Sequence, residues 1–398
     1  MSPVAQLVVW VKGKFRIRRF STIKRALLKS HAAISHWHNF ERRLAEEARL
    51  SAKKAMQSLI ESLINGRDLS PAECECAVDW LANPGADAGQ KGVFLAALRV
   101  KGETAAEIAG FVESLVKRAV NPQIRNQNLS GPVIDVCGTG GDRLELFNVS
   151  TASMFVLAAS GAVVVKHGNR AITSQCGGAD VLEELGVEID MAPARLADCV
   201  EALGLGFVFA PAYHPAFKVI GPVRKALAEQ GQSSIFNLLG PLLNPARPAY
   251  QLVGVYAQEL LEKYACALQG LGRAGAWVVH GAGADELTPS GKADAICVTP
   301  NRLEKISIDP QSIGVAHAPM SALRGGDKRE NAAILRSILR CENRGPQADA
   351  VLLNAAAGLV VCGLANEMSE GMARAREALQ SGRASEKLDA LCRFSKKE

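Results

Sequence analysis

From residue 133 onward the chain alternates short apolar runs with helical stretches, and this leaves few architectures open. The segments VIDVC (133–137), AVVVKHG, FVFAPAYH, YQLVGVYA and GAWVVHGAG read as buried strands that end in small or polar residues. Between the first of them, NVSTASMFVLAASG and GADVLEELG carry helical patterns. Such alternation predicts an α/β domain with a mostly parallel central sheet and flanking helices. In these sheets chemistry collects in loops at the carboxyl ends of the strands.

Ahead of this region, about 52–120 reads as helical throughout. KKAMQSLIESLING has apolar residues every three or four positions and stops at Gly66. In SPAECECAVDWLANPG, Ser70 is placed to cap, Pro71 sits in the first turn, and Pro84-Gly85 ends the segment. GQKGVFLAALRVKG and TAAEIAGFVESLVKRAV follow, the latter with Thr104 and Glu107 spaced as a capping box. The polar, turn-rich stretch 121–132 reads as a linker. The expected architecture is a small all-helical domain followed by a larger α/β domain.

Charge separates the first 50 residues from the rest. They hold 11 Lys/Arg against 3 Asp/Glu, whereas the remainder holds 35 against 37. The basic footprint of a nucleic-acid binder belongs on the folded body, and this body is near neutral. Residues 1–51 read as a basic, disordered extension outside the fold. Its first forty residues hold no Asp or Glu, which is also the composition of an organelle transit peptide; the cytoplasm is the compartment expected here. No apolar run reaches membrane-spanning length, and AVLLNAAAGLVVCGLA (350–365) reads as a buried core helix. The 10 cysteines are scattered, with no paired C-x-x-C elements, and read as free thiols in a reducing compartment.

Four segments that follow strands carry the chemistry. The first is Cys137-Gly138-Thr139-Gly140-Gly141-Asp142, with Asn148, Ser150 and Thr151 opening the next helix. Its glycines permit close backbone approach, and a helix start favours an anion. Taken alone, it is also a tight turn with a helix cap. The second, Lys166-His167-Gly168-Asn169-Arg170, offers a point charge for phosphate and a candidate acid/base. The third, HPAFKVIGPVRKAL, supplies His214 and Arg224, a guanidinium able to grip a carboxylate with two parallel hydrogen bonds; a basic surface helix is the plainer reading. The fourth is Asp285-Glu286, adjacent carboxylates whose repulsion a hard cation such as Mg²⁺ removes; a solvated acidic loop is the alternative. There is no Walker P-loop and no dinucleotide fingerprint, and Cys137 reads as a packed thiol with no base beside it.

DVCGTGGD, NVST, KHGNR, GADVLEELG, HPAFKVIGPVR, FNLLGPLLNPA, GADE, GGD (325–327) and LNAAAGL occur in the order found in the anthranilate phosphoribosyltransferases. The chain resembles that family from about residue 54 to 390. The resemblance implies transfer of a phosphoribosyl group from 5-phosphoribosyl 1-diphosphate to the amine of anthranilate, in tryptophan biosynthesis. It implies a homodimer formed through the helical domain, and two Mg²⁺ per active site. Residues 212–238 are expected to join the helical domain of 52–120, with 121–211 and 239–398 forming the α/β domain. Substrate contacts are implied for Gly138, Thr139, Gly140, Gly141, Asp142, Asn148, Ser150, Thr151, Lys166, His167, Gly168, Asn169, Gly178, His214 and Arg224. Ser150, Asp285 and Glu286 match the metal residues; His167, Asn169 and Arg224 are the catalytic candidates, with Asn169 and Arg224 on anthranilate.

Three departures stand out. Cys176 and Gly178 replace common serines, LAEQGQSSIFN is about three residues longer than usual, and GAGADE is glycine-rich with its acidic pair intact. Two competing readings are a non-catalytic nucleic-acid-binding relative and a pyrimidine nucleoside phosphorylase. The near-neutral body and intact motifs oppose the first. The missing lysine–serine loop opposes the second.

Overall fold

The computed structural model describes Arg43, Ser51 and residues 53–396 apart from 172–174. The expectations for 1–51 therefore fall, but for two residues, outside the described part. The chain divides into two compact units at Leu69/Ser70. In the first, 53–64 is helical, as its apolar spacing predicts.

The second unit opens with three helices, α1 (Pro71–Leu81), α2 (Ala88–Lys101) and α3 (Ala105–Lys117). Their starts follow the capping chemistry in the sequence. Ser70 Oγ accepts from the Glu73 amide while Glu73 returns a carboxylate oxygen to the Ser70 amide at 2.9 Å. Thr104 and Glu107 do the same at 3.2 and 2.9 Å. Each such box satisfies two amides that a helix start would leave bare. On α1, Cys74 is buried and Cys76 half-buried, so the C-x-C pair splits between two faces.

The sheet has seven strands in the order β3-β2-β1-β4-β5-β6-β7. They are β1 (Val133–Gly138), β2 (Val163–Gly168), β3 (Leu205–Phe209), β4 (Tyr250–Gly254), β5 (Gly275–Gly281), β6 (Ala293–Thr299) and β7 (Arg302–Ile308). The first five pair in parallel, while β6 and β7 form an antiparallel hairpin on the β5 edge. FVFAPAYH is shorter as a strand than its sequence suggests. β3 ends at Phe209, and Ala210–Tyr213 form a helical turn with Pro211 near its start, where a missing N–H costs nothing.

The longer helices that follow are α4 (Val149–Ala159), α5 (Gly178–Glu184), α6 (Pro193–Leu203), α7 (Phe217–Glu229), α8 (Leu260–Gly270), α9 (Lys328–Leu339), α10 (Pro346–Val361), α11 (Met368–Gln380) and α12 (Arg383–Ser395), of which α4, α6, α8 and α10 pack directly on strands. The Ala-rich α10 is buried along nearly its whole length and packs on α4 and α11, as its composition predicts. α7 packs on α2, and the turn Phe236–Leu239 packs on α3. No helix among the described residues is long and apolar enough to cross a membrane.

Candidate active site

Because β1, β4 and β5 are adjacent and parallel, their carboxyl ends meet at one edge. The acidic loop after β5 fills the space there. Asp285 Oδ2 accepts the Gly140 amide at 2.6 Å. A Cβ on Gly138 would lie 2.3 Å from Asp285 Oδ2, one on Gly254 would lie 1.5 Å from the Asp285 carbonyl oxygen, and one on Gly281 would lie 2.2 Å from the Glu286 carbonyl oxygen. These strand ends are glycine because another loop occupies the side-chain volume. Gly140 and Gly141 turn the loop at φ +64° and +88°, a region that costs other residues about 1–2 kcal/mol. Thr139 anchors it: its amide donates to Gly254 O at 3.0 Å, and its hydroxyl accepts the Tyr256 amide at 3.1 Å. Asp142 closes a turn by accepting the Leu144 amide at 3.2 Å.

The acidic pair is held in an unfavourable charge state. Burial pushes the Asp285 carboxyl up, with the Asp142 charge acting in the same sense. Glu286, with some surface still open but ringed by protein, is pushed up first by burial and then by Asp285, while Lys166 opposes the shift. A hard cation relieves both carboxylates at once. Among the described residues no three His, Cys, Asp or Glu side chains gather into a metal cage. Asp285, Glu286 and the Ser150 hydroxyl nevertheless suit Mg²⁺, which characteristically takes one or two carboxylates and fills its other positions with water and substrate phosphate.

Lys166 lies within β2 and is only 4% exposed. Its ammonium donates to Val136 O at 2.5 Å and to Ser150 Oγ at 3.1 Å, tying β2 to β1 and to the first turn of α4. Thr151, beside Ser150, is buried. Asn148 does not cap its helix. Its amide donates to Cys176 O at 3.1 Å, and its oxygen accepts from Asn331 Nδ2 at 3.0 Å. Gly168 ends β2, where a Cβ would meet the Phe207 ring at 2.8 Å. Past it, Asn169 Oδ1 accepts the Arg170 amide at 2.8 Å, and Arg170 pairs with Glu183 and Asp180. Gly178 opens α5, where a Cβ would stand 3.0 Å from Thr151 Oγ1. The thiol of Cys137 is buried and pushed far up by burial, in keeping with a packed thiol.

A line of rings leads from β2 to Arg224. His167 and His214 meet edge to face at 5.3 Å, His214 meets Phe217 at 5.8 Å, and Phe217 meets Phe236 at 5.6 Å. The Arg224 guanidinium lies 5.6 Å from the Phe217 ring and 5.5 Å from that of Phe236. Arg224 has no hydrogen-bonded or ionic partner among the described residues, and burial lowers its pKa. Both histidines are buried. Burial pushes His167 down to about 3, with His214 adding to it, and pushes His214 down to about 4. His214 Nε2 is engaged with Leu243 O at 2.9 Å, while His167 Nε2 is buried without a partner among the described residues.

The glycine loop, the α4 start, β2 and the acidic pair thus touch directly, whereas Arg224 reaches them only through the rings. Asn169 and Arg224 make no hydrogen bond to each other. Sequence reasoning did not single out Asn331, Tyr256 or Asp135 as site supports. Asp135 is fully buried, and accepts the His167 amide at 3.2 Å and Asn244 Nδ2 at 3.0 Å. A charged residue in the middle of VIDVC was its signal.

A profile described as "Glycosyl transferase family, a/b domain" matches residues 130–385, and one described as "Glycosyl transferase family, helical bundle domain" matches 57–119. Anthranilate phosphoribosyltransferase from Chloroflexus aggregans is 45% identical, covering 86% of this chain and 99% of its own. The crystal structure of the Thermus thermophilus enzyme is 39% identical, covers 85% of this chain and 99% of its own, and superposes with a TM-score of 0.79. The Saccharomyces cerevisiae enzyme in complex with PRPP and Mg is 25% identical, covers 85% and 97%, and gives 0.77.

Proposed function

This chain belongs to the glycosyl transferase family of the anthranilate phosphoribosyltransferases, and on that premise we propose how its strand ends divide the work. The reaction transfers the phosphoribosyl group of 5-phosphoribosyl 1-diphosphate to the amine of anthranilate, giving N-(5-phosphoribosyl)anthranilate and diphosphate, a step of tryptophan biosynthesis. The observation that carries the assignment of roles is the Arg224 guanidinium, unpaired among the described residues, framed by two phenylalanines and joined by a line of rings to β2. A planar aromatic carboxylate fits that frame, its carboxylate on Arg224 and its ring along Phe217 and Phe236.

Gly138 to Asp142 and the first turn of α4 offer amides and hydroxyls to the phosphates, and Asp142 accepts from ribose hydroxyls. Asp285, Glu286 and Ser150 would hold Mg²⁺, which we take to number two per site. When bound, the metal neutralises the departing diphosphate. The amine attacks ribose C1 as the C1–oxygen bond breaks, with inversion, and one amine proton then leaves. The buried His167 Nε2, which lacks a partner among the described residues, is the acceptor we assign to that proton. A base held this weak suits an arylamine, whose proton becomes acidic only as the new C–N bond forms. Orientation and leaving-group stabilisation supply most of the acceleration.

We further assign 212–238 to the helical domain of 52–120, supported by the packing of α7 on α2. A homodimer through that domain would use the exposed Val93 and Val100, seven residues apart on α2. The cytoplasm is taken as its compartment.

The test follows loss of anthranilate fluorescence with 5-phosphoribosyl 1-diphosphate and Mg²⁺. Turnover is expected from the wild type, with a fall of at least about 100-fold in the double variant Asp285→Asn/Glu286→Gln. Retained turnover in the variant would place the metal elsewhere. An inactive wild type that binds DNA tightly at physiological salt would overturn the enzymatic reading.

A further inference from the structure

A cavity of about 300 Å³ lies at the amino-terminal ends of β4 and β5, away from the catalytic loops. Its walls include Val116 of α3, Leu242 and Leu271, and its charged groups are Glu113, Arg247 and Arg273. Arg273 is only 6% exposed. Its Nε donates to Gln251 Oε1 at 3.3 Å, and Gln251 is itself fixed by donating to Pro241 O at 2.7 Å. No acceptor for the two terminal nitrogens of Arg273 is found among the described residues. A guanidinium keeps its charge in proteins, so burial without a matching partner is costly. Asp135, the acidic group that acts most strongly on it, is already engaged by Asn244 and the His167 amide, and Lys166 acts on it more strongly than Arg273 does.

Arg247, across the cavity, meets Glu113 through two contacts of 3.5 Å, both long for ionic hydrogen bonds. It also holds a φ of +48°, a strained setting for a side chain this size, of the kind found at ligand sites. Two guanidinium groups against one carboxylate leave a single excess positive charge. That balance suits a monoanion better than a phosphate dianion, which Glu113 would repel. The apolar walls suit a hydrocarbon body, and the volume is at the low end for ligand sites.

We propose that this cavity binds a small monocarboxylate with an apolar body, its carboxylate on the terminal nitrogens of Arg273 and its body against Val116, Leu242 and Leu271. The full chain is titrated calorimetrically with hexanoate and, separately, with inorganic phosphate. Hexanoate is expected to bind at one equivalent and to weaken at least about tenfold in Arg273→Met and in Val116→Trp, with phosphoribosyl transfer kept within about twofold. Val116→Trp fills the cavity from a half-buried helix position and leaves Arg273 intact, so it decides the matter if Arg273→Met fails to fold. The proposal is overturned if the wild type binds no hexanoate, or if Val116→Trp binds it undiminished. Phosphate binding that is tighter than hexanoate and sensitive to Val116→Trp overturns the carboxylate class.

Discussion

Arg224→Gln separates recognition from stability, because the wild-type guanidinium has neither hydrogen-bonded nor ionic partners to lose among the described residues. Removing a two-pronged, charge-assisted grip on the anthranilate carboxylate costs about 1.5–3 kcal/mol. That corresponds to a rise of about 10- to 150-fold in the KM for anthranilate. In the unliganded protein two effects oppose each other. Two ring contacts, at 5.6 and 5.5 Å, are lost, at about 0.5–1 kcal/mol each. Against this, the half-buried, unpaired charge no longer has to be desolvated. The net change should fall within about 1 kcal/mol, a Tm shift of no more than about 4 °C. Steady-state fluorescence at saturating 5-phosphoribosyl 1-diphosphate gives KM and kcat, and a thermal melt without ligands gives Tm. An unchanged KM removes Arg224 from the anthranilate site. A Tm drop of more than about 8 °C would show instead that Arg224 serves the fold.

Two further outcomes follow from buried groups. His214 refuses a proton down to about pH 4, whereas the unfolded chain takes one at its ordinary value of 6.5. Its contribution to stability is therefore intact above pH 6.5 and shrinks as pH falls toward 4, by about 1.4 kcal/mol at pH 5.5. His214→Gln should flatten the acid side of the Tm–pH curve, and superimposable curves would refute the argument. Gly138→Ala places a methyl 2.3 Å from Asp285 Oδ2 and must shift that carboxylate, at about 1–3 kcal/mol. The Mg²⁺ concentration for half-maximal turnover should rise; an unchanged value would detach the Gly138–Asp285 contact from metal binding.

The parallel core of the sheet was legible because strands buried on both faces read as continuous apolar runs, and the helix starts because Ser70-Glu73 and Thr104-Glu107 follow fixed capping spacings. The β6–β7 hairpin went unread. Its alternation in RLEKISI is local and half-solvated, and the Pro300-Asn301 turn signal stood outside the strand–helix rhythm. The chemistry of single loops was also legible, but their mutual contacts were not. Nothing near Gly254 in the chain indicates that Asp285 will occupy its side-chain space. His167 and His214, 47 positions apart, stood in the sequence as two separate site candidates with no sign that they touch. Only the closing of β2 against β3 stacks them and strips both of water.

The glycine ends of β1, β4 and β5 also bear on how this loop can change over generations. Since Asp285 and Glu286 are keyed to three strand ends at once, their place is inherited from sheet register and does not depend on the residues that lead up to them. At the exposed tip, Ala282 and Gly283 hold left-handed φ of +54° and +94°, which favours glycine and other small residues there, in keeping with the GAGADE spelling. An insertion between Gly281 and Asp285, or any side chain larger than hydrogen at the three keyed positions, would unseat the pair. The length of this loop, its left-handed tip and those three vacancies together fix where the acidic pair can sit.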